Sequence, residues 1–98
     1  MAQIANSLEA QVALITGAAT GIGRAMAEAL GKAGAKIWIA SRDQAAINRA
    51  VDELQTVGVA VSGAGLDVTN RARVEALVDR IVTQDGKIDI HEPAAVPG

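Results

Sequence analysis

The residues of this 98-residue chain best placed to do chemistry are three glycines in Thr16-Gly17-Ala18-Ala19-Thr20-Gly21-Ile22-Gly23. They follow the apolar run Val12–Thr16 and precede a helical pattern. An early glycine allows a tight turn out of a strand, and later ones let backbone N–H groups approach a bound group closely. The helix start beyond them offers unpaired donors and partial positive charge. That chemistry suits the pyrophosphate of a dinucleotide. A nucleoside-triphosphate loop would carry lysine and then serine or threonine after its last glycine. Here Arg24 and Ala25 follow Gly23. The plainer alternative is a glycine-rich turn with no ligand, and the strand–loop–helix context weighs against it.

A second pattern lies in Ala40-Ser41-Arg42-Asp43, after another apolar run. In a dinucleotide fold, an acidic residue at the end of the second strand binds the ribose 2′-hydroxyl, whereas arginine accommodates a 2′-phosphate. Ser41 stands at the usual acidic position and Arg42 follows it. Ser41 can donate a hydrogen bond and Arg42 a charge-assisted one. Asp43 has two readings. It caps the following helix, or a one-residue shift turns its carboxylate inward.

The elements that must hold these groups repeat in form. Continuous apolar runs occur at Val12–Thr16 and Lys36–Ala40, with a weaker one from Val59 to Val61 leading into Gly63-Ala64-Gly65-Leu66. Runs without alternation suit strands buried on both faces of a parallel sheet. Between them, apolar residues recur at helical spacing: Ile22, Met26, Leu30 and Ala33; Ile47, Val51 and Leu54; Val74, Leu77, Val78 and Ile81. Gly34, Gly58 and Gly86 are the stop signals, and Asp43 and Asn70 are candidate N-caps. The pattern predicts an α/β fold with a Rossmann-type parallel sheet. It reads βαβαβα plus the start of a fourth strand at Ile88-Asp89-Ile90, about half of a doubly wound domain.

Composition excludes other classes. The formal net charge is -2 with interspersed signs, so a nucleic-acid track is not expected. There is no cysteine and a single histidine, His91, which argues against disulfides, thiolate chemistry and metal sites. No charged start followed by an apolar run marks a secretory signal, and no apolar stretch is long enough to span a membrane. A cytoplasmic protein is the expectation.

The loop Thr16-Gly17-x-x-x-Gly21-Ile22-Gly23 resembles the cofactor loop of the short-chain dehydrogenases/reductases. Asp67-Val68 after the third strand is similar to that family's adenine contact, and Gly86-Lys87-Ile88-Asp89-Ile90 to its lead into the fourth strand. The resemblance covers Leu8 to Ile90. It implies a cofactor set of Gly17, Thr20, Gly21, Ile22, Gly23, Ser41, Arg42, Asp67 and Val68, and an NADP-type arrangement at Ser41-Arg42, with NAD less favoured. It also implies hydride transfer between a nicotinamide and a carbonyl or alcohol. The family's general acid or base is a tyrosine, assisted by a lysine and a serine. This chain has no tyrosine, and Ser62 and Lys87 fall outside the family's catalytic spacing, as loop or surface positions. No catalytic residue is assigned.

The segment from His91 to Gly98 departs from the family pattern, and its two prolines do not suit a central strand. Residues 1–90 are therefore expected to form a partial NAD(P)-binding domain and 91–98 a disordered tail foreign to it. His91 and Glu92 read as tail surface rather than as an acid–base pair. Without a complete fourth strand, Val12–Thr16 is expected to present an unpaired apolar edge with apolar surface bare beside it, favouring self-association. Three readings stay open: part of an NADP-dependent oxidoreductase, a non-catalytic nucleotide-binding module, and a vestigial product that holds no ligand.

Overall fold

The computed structural model describes residues 8–17 and 21–93. The order is β1 (Val12–Thr16), α1 (Gly21–Lys32), β2 (Lys36–Ser41), α2 (Gln44–Thr56), β3 (Val61–Gly65), α3 (Arg71–Asp85) and β4 (Ile90–Pro93). The strands form one parallel sheet in the order β3-β2-β1-β4. This is the expected Rossmann-type arrangement. The third strand starts at Val61, so Val59 and Ala60 belong to the approach.

Side chains alternating along the strands divide the core in two. Ala13, Ile15, Ile37 and Ile39 face α1 and α2 and meet Ala27, Ile47, Ala50 and Leu54. Val12, Leu14, Trp38 and Ala40 face the other way and meet Leu77 and Ile81 of α3. Trp38, the only aromatic residue, is 1% exposed and donates from its indole N–H to Asp85 Oδ2 at 2.5 Å. That bond ties the last turn of α3 to the middle of β2.

Local chemistry sets the helix ends. The side chain of Asp43 accepts from Ala46 N at 3.1 Å, and that of Asn70 from Arg73 N at 3.2 Å. Each satisfies a donor that the first turn leaves free. Gly34, Gly58 and Gly86 all have positive φ, as the stop signals require.

Two expectations are corrected. On α1 the buried line is Gly23, Ala27 and Gly31, with Met26 and Leu30 half-buried beside it and Ile22 73% exposed. The closest line of a helix lying on a sheet is set by small residues, and the larger ones splay to either side. The other correction concerns β1, which is not an edge. Residues Ala13 to Thr16 pair with Ile90 to Pro93, so the fourth strand runs three residues into the segment assigned to the tail. Among the described residues β4 is the outer strand of the sheet, and an edge strand can lack one ladder donor. All five residues of β1 are buried, and among the described residues only Ile22, Val57 and Val82 are large, apolar and exposed. The bare apolar edge expected of β1 is therefore absent. Residues 94–98 of the tail lie outside the described residues. His91 is exposed within β4, opposite Leu14. Ser62 sits within β3 rather than in a loop, and Lys87 pairs with Asp89 at 3.2 Å.

Asp89 couples the start of the sheet to its last strand. Its backbone N–H donates to Val12 O at 2.8 Å, and its Oδ2 accepts from Val12 N at 2.8 Å. The Val12 N–H is the main cause holding the Asp89 carboxyl below its ordinary range, with Lys87 adding to it. A lowered folded value means stability that is present above the ordinary aspartate range and lost as pH falls through the folded value. Asp89→Asn is expected to flatten this part of the acid limb in urea melts taken from pH 5 downward. An acid limb identical to that of the parent chain would show that the contact is energetically silent.

Candidate functional site

The loop after β1 lies at the carboxyl ends of the strands, where open α/β sheets bind ligands. Gly17 has φ +73° and its N–H donates to Ala40 O at 2.6 Å, which turns the chain over the end of β2. Gly21 has φ +65°, and a Cβ there would meet nothing within 4 Å. Its glycine is required by backbone conformation. Gly23 is buried in the first turn of α1, while Ile22 projects outward at the helix start. Thr20 lies outside the described residues.

The β2 end contributes Ser41, half-buried, and Arg42, exposed. The carboxylate of Asp43 is engaged in capping α2 through Ala46 N. Of its two readings, the structure shows the cap. The β2 and β3 ends are locked together because Leu66 N donates to Ser41 O at 2.8 Å. Asp67 follows at once, and its Oδ1 accepts from the Thr69 hydroxyl at 2.6 Å and from Thr69 N at 2.9 Å. The Thr69 hydroxyl is the main cause holding the Asp67 carboxyl below its ordinary range, and the positive charge of Arg42 contributes. Asp67 is thus fixed in direction and within the field of Arg42. Val68 is half-buried against the α3-side core.

Sequence reasoning gave Arg24 no role beyond ruling out a triphosphate loop. Its guanidinium bonds Glu28 Oε1 at 2.8 Å and Glu53 Oε1 at 3.3 Å, strapping the start of α1 to α2. Arg24 and Lys32 together hold the Glu28 carboxyl below its ordinary range, Arg24 most strongly. The fourfold spacing of Arg24, Glu28 and Lys32 carried that signal along one helix. The reach to Glu53 did not show in the sequence. The strap directs Arg24 toward α2.

The family model for short chain dehydrogenase matches residues 11–93. The chain belongs to the short-chain dehydrogenase family. Among relatives, it is 38% identical over 87 residues to tropinone reductase-like 3 of Erythroxylum coca, covering 89% of this chain and 34% of that protein. The structure of 2-keto-3-deoxy-D-gluconate dehydrogenase from Streptococcus agalactiae superposes with a TM-score of 0.88 at 34% identity, over 98% of this chain and 36% of that one. Actinorhodin polyketide ketoreductase, solved with NADPH, superposes with a TM-score of 0.84 at 36% identity, over 90% of this chain and 34% of that one. The chain spans about a third of the length of the curated relatives it matches. The family match runs to Pro93, as does the sheet, beyond the limit at Ile90 drawn from motifs alone. No described helix is long and apolar enough to cross a membrane.

Proposed function

We propose that this chain is the cofactor-binding portion of an NADP-dependent short-chain oxidoreductase, one that exchanges hydride between NADP(H) and a carbonyl or alcohol. The observation that carries the reading is the end of β2. Ser41 and Arg42 stand where an acidic residue would reject a 2′-phosphate, and the nearby Asp43 carboxylate is committed to the α2 cap. In this reading Gly17, Thr20, Gly21, Ile22 and Gly23 receive the pyrophosphate at the α1 N-terminus, Ser41 and Arg42 the 2′-phosphate, and Asp67 and Val68 the adenine. The NADPH in the ketoreductase structure lends support. Bound NADP supplies the hydride chemistry, and these residues bind and orient it. Because the sequence has no tyrosine, these 98 residues are credited with binding and not with turnover.

The test is isothermal titration of NADPH and NADH against the parent chain and Arg42→Ala. A charge-assisted bond contributes about 1.5–3 kcal/mol. The variant should therefore bind NADPH more weakly by about 10- to 100-fold, while NADH changes little. Equal weakening of both cofactors would remove Arg42 from the phosphate site, and absence of NADPH binding by the parent would sink the reading. Turnover by this chain alone would overturn the assignment of binding without catalysis.

A further inference from the structure

On the α3 side of the sheet the core is uneven. Over β1 and β2 it is filled by Leu14 and Trp38, which meet Leu77 and Ile81. Toward β3 the sheet offers Ala64 and the backbone of Gly63 and Gly65, whose Cβ directions point to the α2 face, and α3 answers with Ala72 and Ala76. The Trp38 ring occupies the space between sheet and helix on one side, and small residues facing small residues cannot close it on the other. A slot of about 670 Å³ remains between β3 and α3, a volume within the range of small-molecule sites. None of the residues assigned to the cofactor lines it. It opens beside β3, at the opposite edge of the sheet from β4.

Ala64, Leu66 and Leu77 give the slot an apolar wall beside polar surface of similar extent, and the rim is cationic. Arg73 and Arg80 line the slot from α3, seven residues and about 10 Å apart along the helix. Gln44 and Asn70 are the other polar residues of the rim, and no carboxylate lines the slot. Among the described residues, neither arginine is ion-paired. Arg80 lies 5.4 Å from the centroid of the Trp38 ring, whose indole N–H donates to Asp85. The lining of the slot therefore carries two positive charges and no negative one.

We propose that the slot between β3 and α3 binds a flat amphipathic organic carboxylate, its apolar body against Ala64, Ala72 and Ala76 and its anionic group on Arg73 or Arg80. The site is separate from the cofactor loop and stands independently of the cofactor reading. The probe is naphthalene-2-carboxylate, titrated into the full chain and followed by amide chemical shifts. Shifts are expected at Ala64, Leu66, Ala72 and Ala76. The uncharged 2-naphthamide should bind about tenfold more weakly, as should the carboxylate to an Arg73→Ala, Arg80→Ala double variant. Ala76→Leu, or Ala72→Leu if the first variant does not fold, should fill the slot and abolish binding. NADPH should not compete. Equal binding of acid and amide, survival of binding in the filled variant, competition by NADPH or shifts confined to the cofactor loop would each overturn the proposal. The same shifts on raising protein concentration without probe would give the slot to a second copy of the chain and would overturn it too.

Discussion

Trp38→Ala is expected to destabilise the chain by about 3–5 kcal/mol, the usual range for deleting a large buried aromatic. A domain of this size has about 5–15 kcal/mol in total, so the variant sits close to unfolding. The argument rests on what the ring holds. Among the described residues it is the largest fully buried side chain, and it lies on the sheet face that α3 covers. Its removal deletes the apolar contact beneath Leu77 and Ile81 and breaks the tie from the indole N–H to Asp85. The damage should therefore be local first. Amide exchange should quicken most in α3 and in β4, which α3 leads into, and least in α1 and α2. Urea melts must be followed by far-UV circular dichroism, because Trp38 is the only tryptophan. A loss below about 1 kcal/mol, or exchange that quickens evenly along the chain, would contradict the packing described.

Gly31→Val is expected to destabilise by about 1–3 kcal/mol through overpacking, although replacing a helical glycine often stabilises. Gly31 closes the buried line of α1, and a Cβ placed on it would lie 2.9 Å from Val59 Cγ2 and 3.1 Å from Val59 Cβ. Val59 is 3% exposed and stands between the α2 stop at Gly58 and β3. The decisive measurement is a double-mutant cycle with Val59→Ala. In the parent background Gly31→Ala should destabilise, because the clash outweighs the gain in helix propensity. With Val59 shortened, the same change should become neutral or stabilising by up to about 1 kcal/mol. Independent, additive effects would mean that α1 does not approach the β3 lead as closely as described.

The sequence by itself determined the order and type of the elements. Continuous apolar runs, helical spacing, two side-chain caps and glycines past the helix ends are local signals, and each acts within about one turn of the chain. Gly17, Gly21 and Gly23 were legible for the same reason, since a loop between strand and helix is a local context. The role of Asp43 was ambiguous in sequence because one residue of shift separates a cap from an inward carboxylate. The tertiary structure resolved it through a single bond to Ala46 N.

What only the tertiary structure decided depends on partners distant in the chain. Pro93 looks hostile to a strand until β4 is seen at the edge of the sheet, where it pairs with β1 and leaves no bare β1 edge. Ile22 fits a helical stripe by spacing, but which line of α1 lies on the sheet is set by close approach, and Gly23, Ala27 and Gly31 allow the closest. The reach of Arg24 to Glu53, the bracket of Asp89 on Val12 and the bond from Trp38 to Asp85 join residues 29, 77 and 47 positions apart. No periodicity encodes such pairs. They exist because parallel crossovers bring the ends of separate strands and helices together, and the close packing of side chains then selects which of them touch.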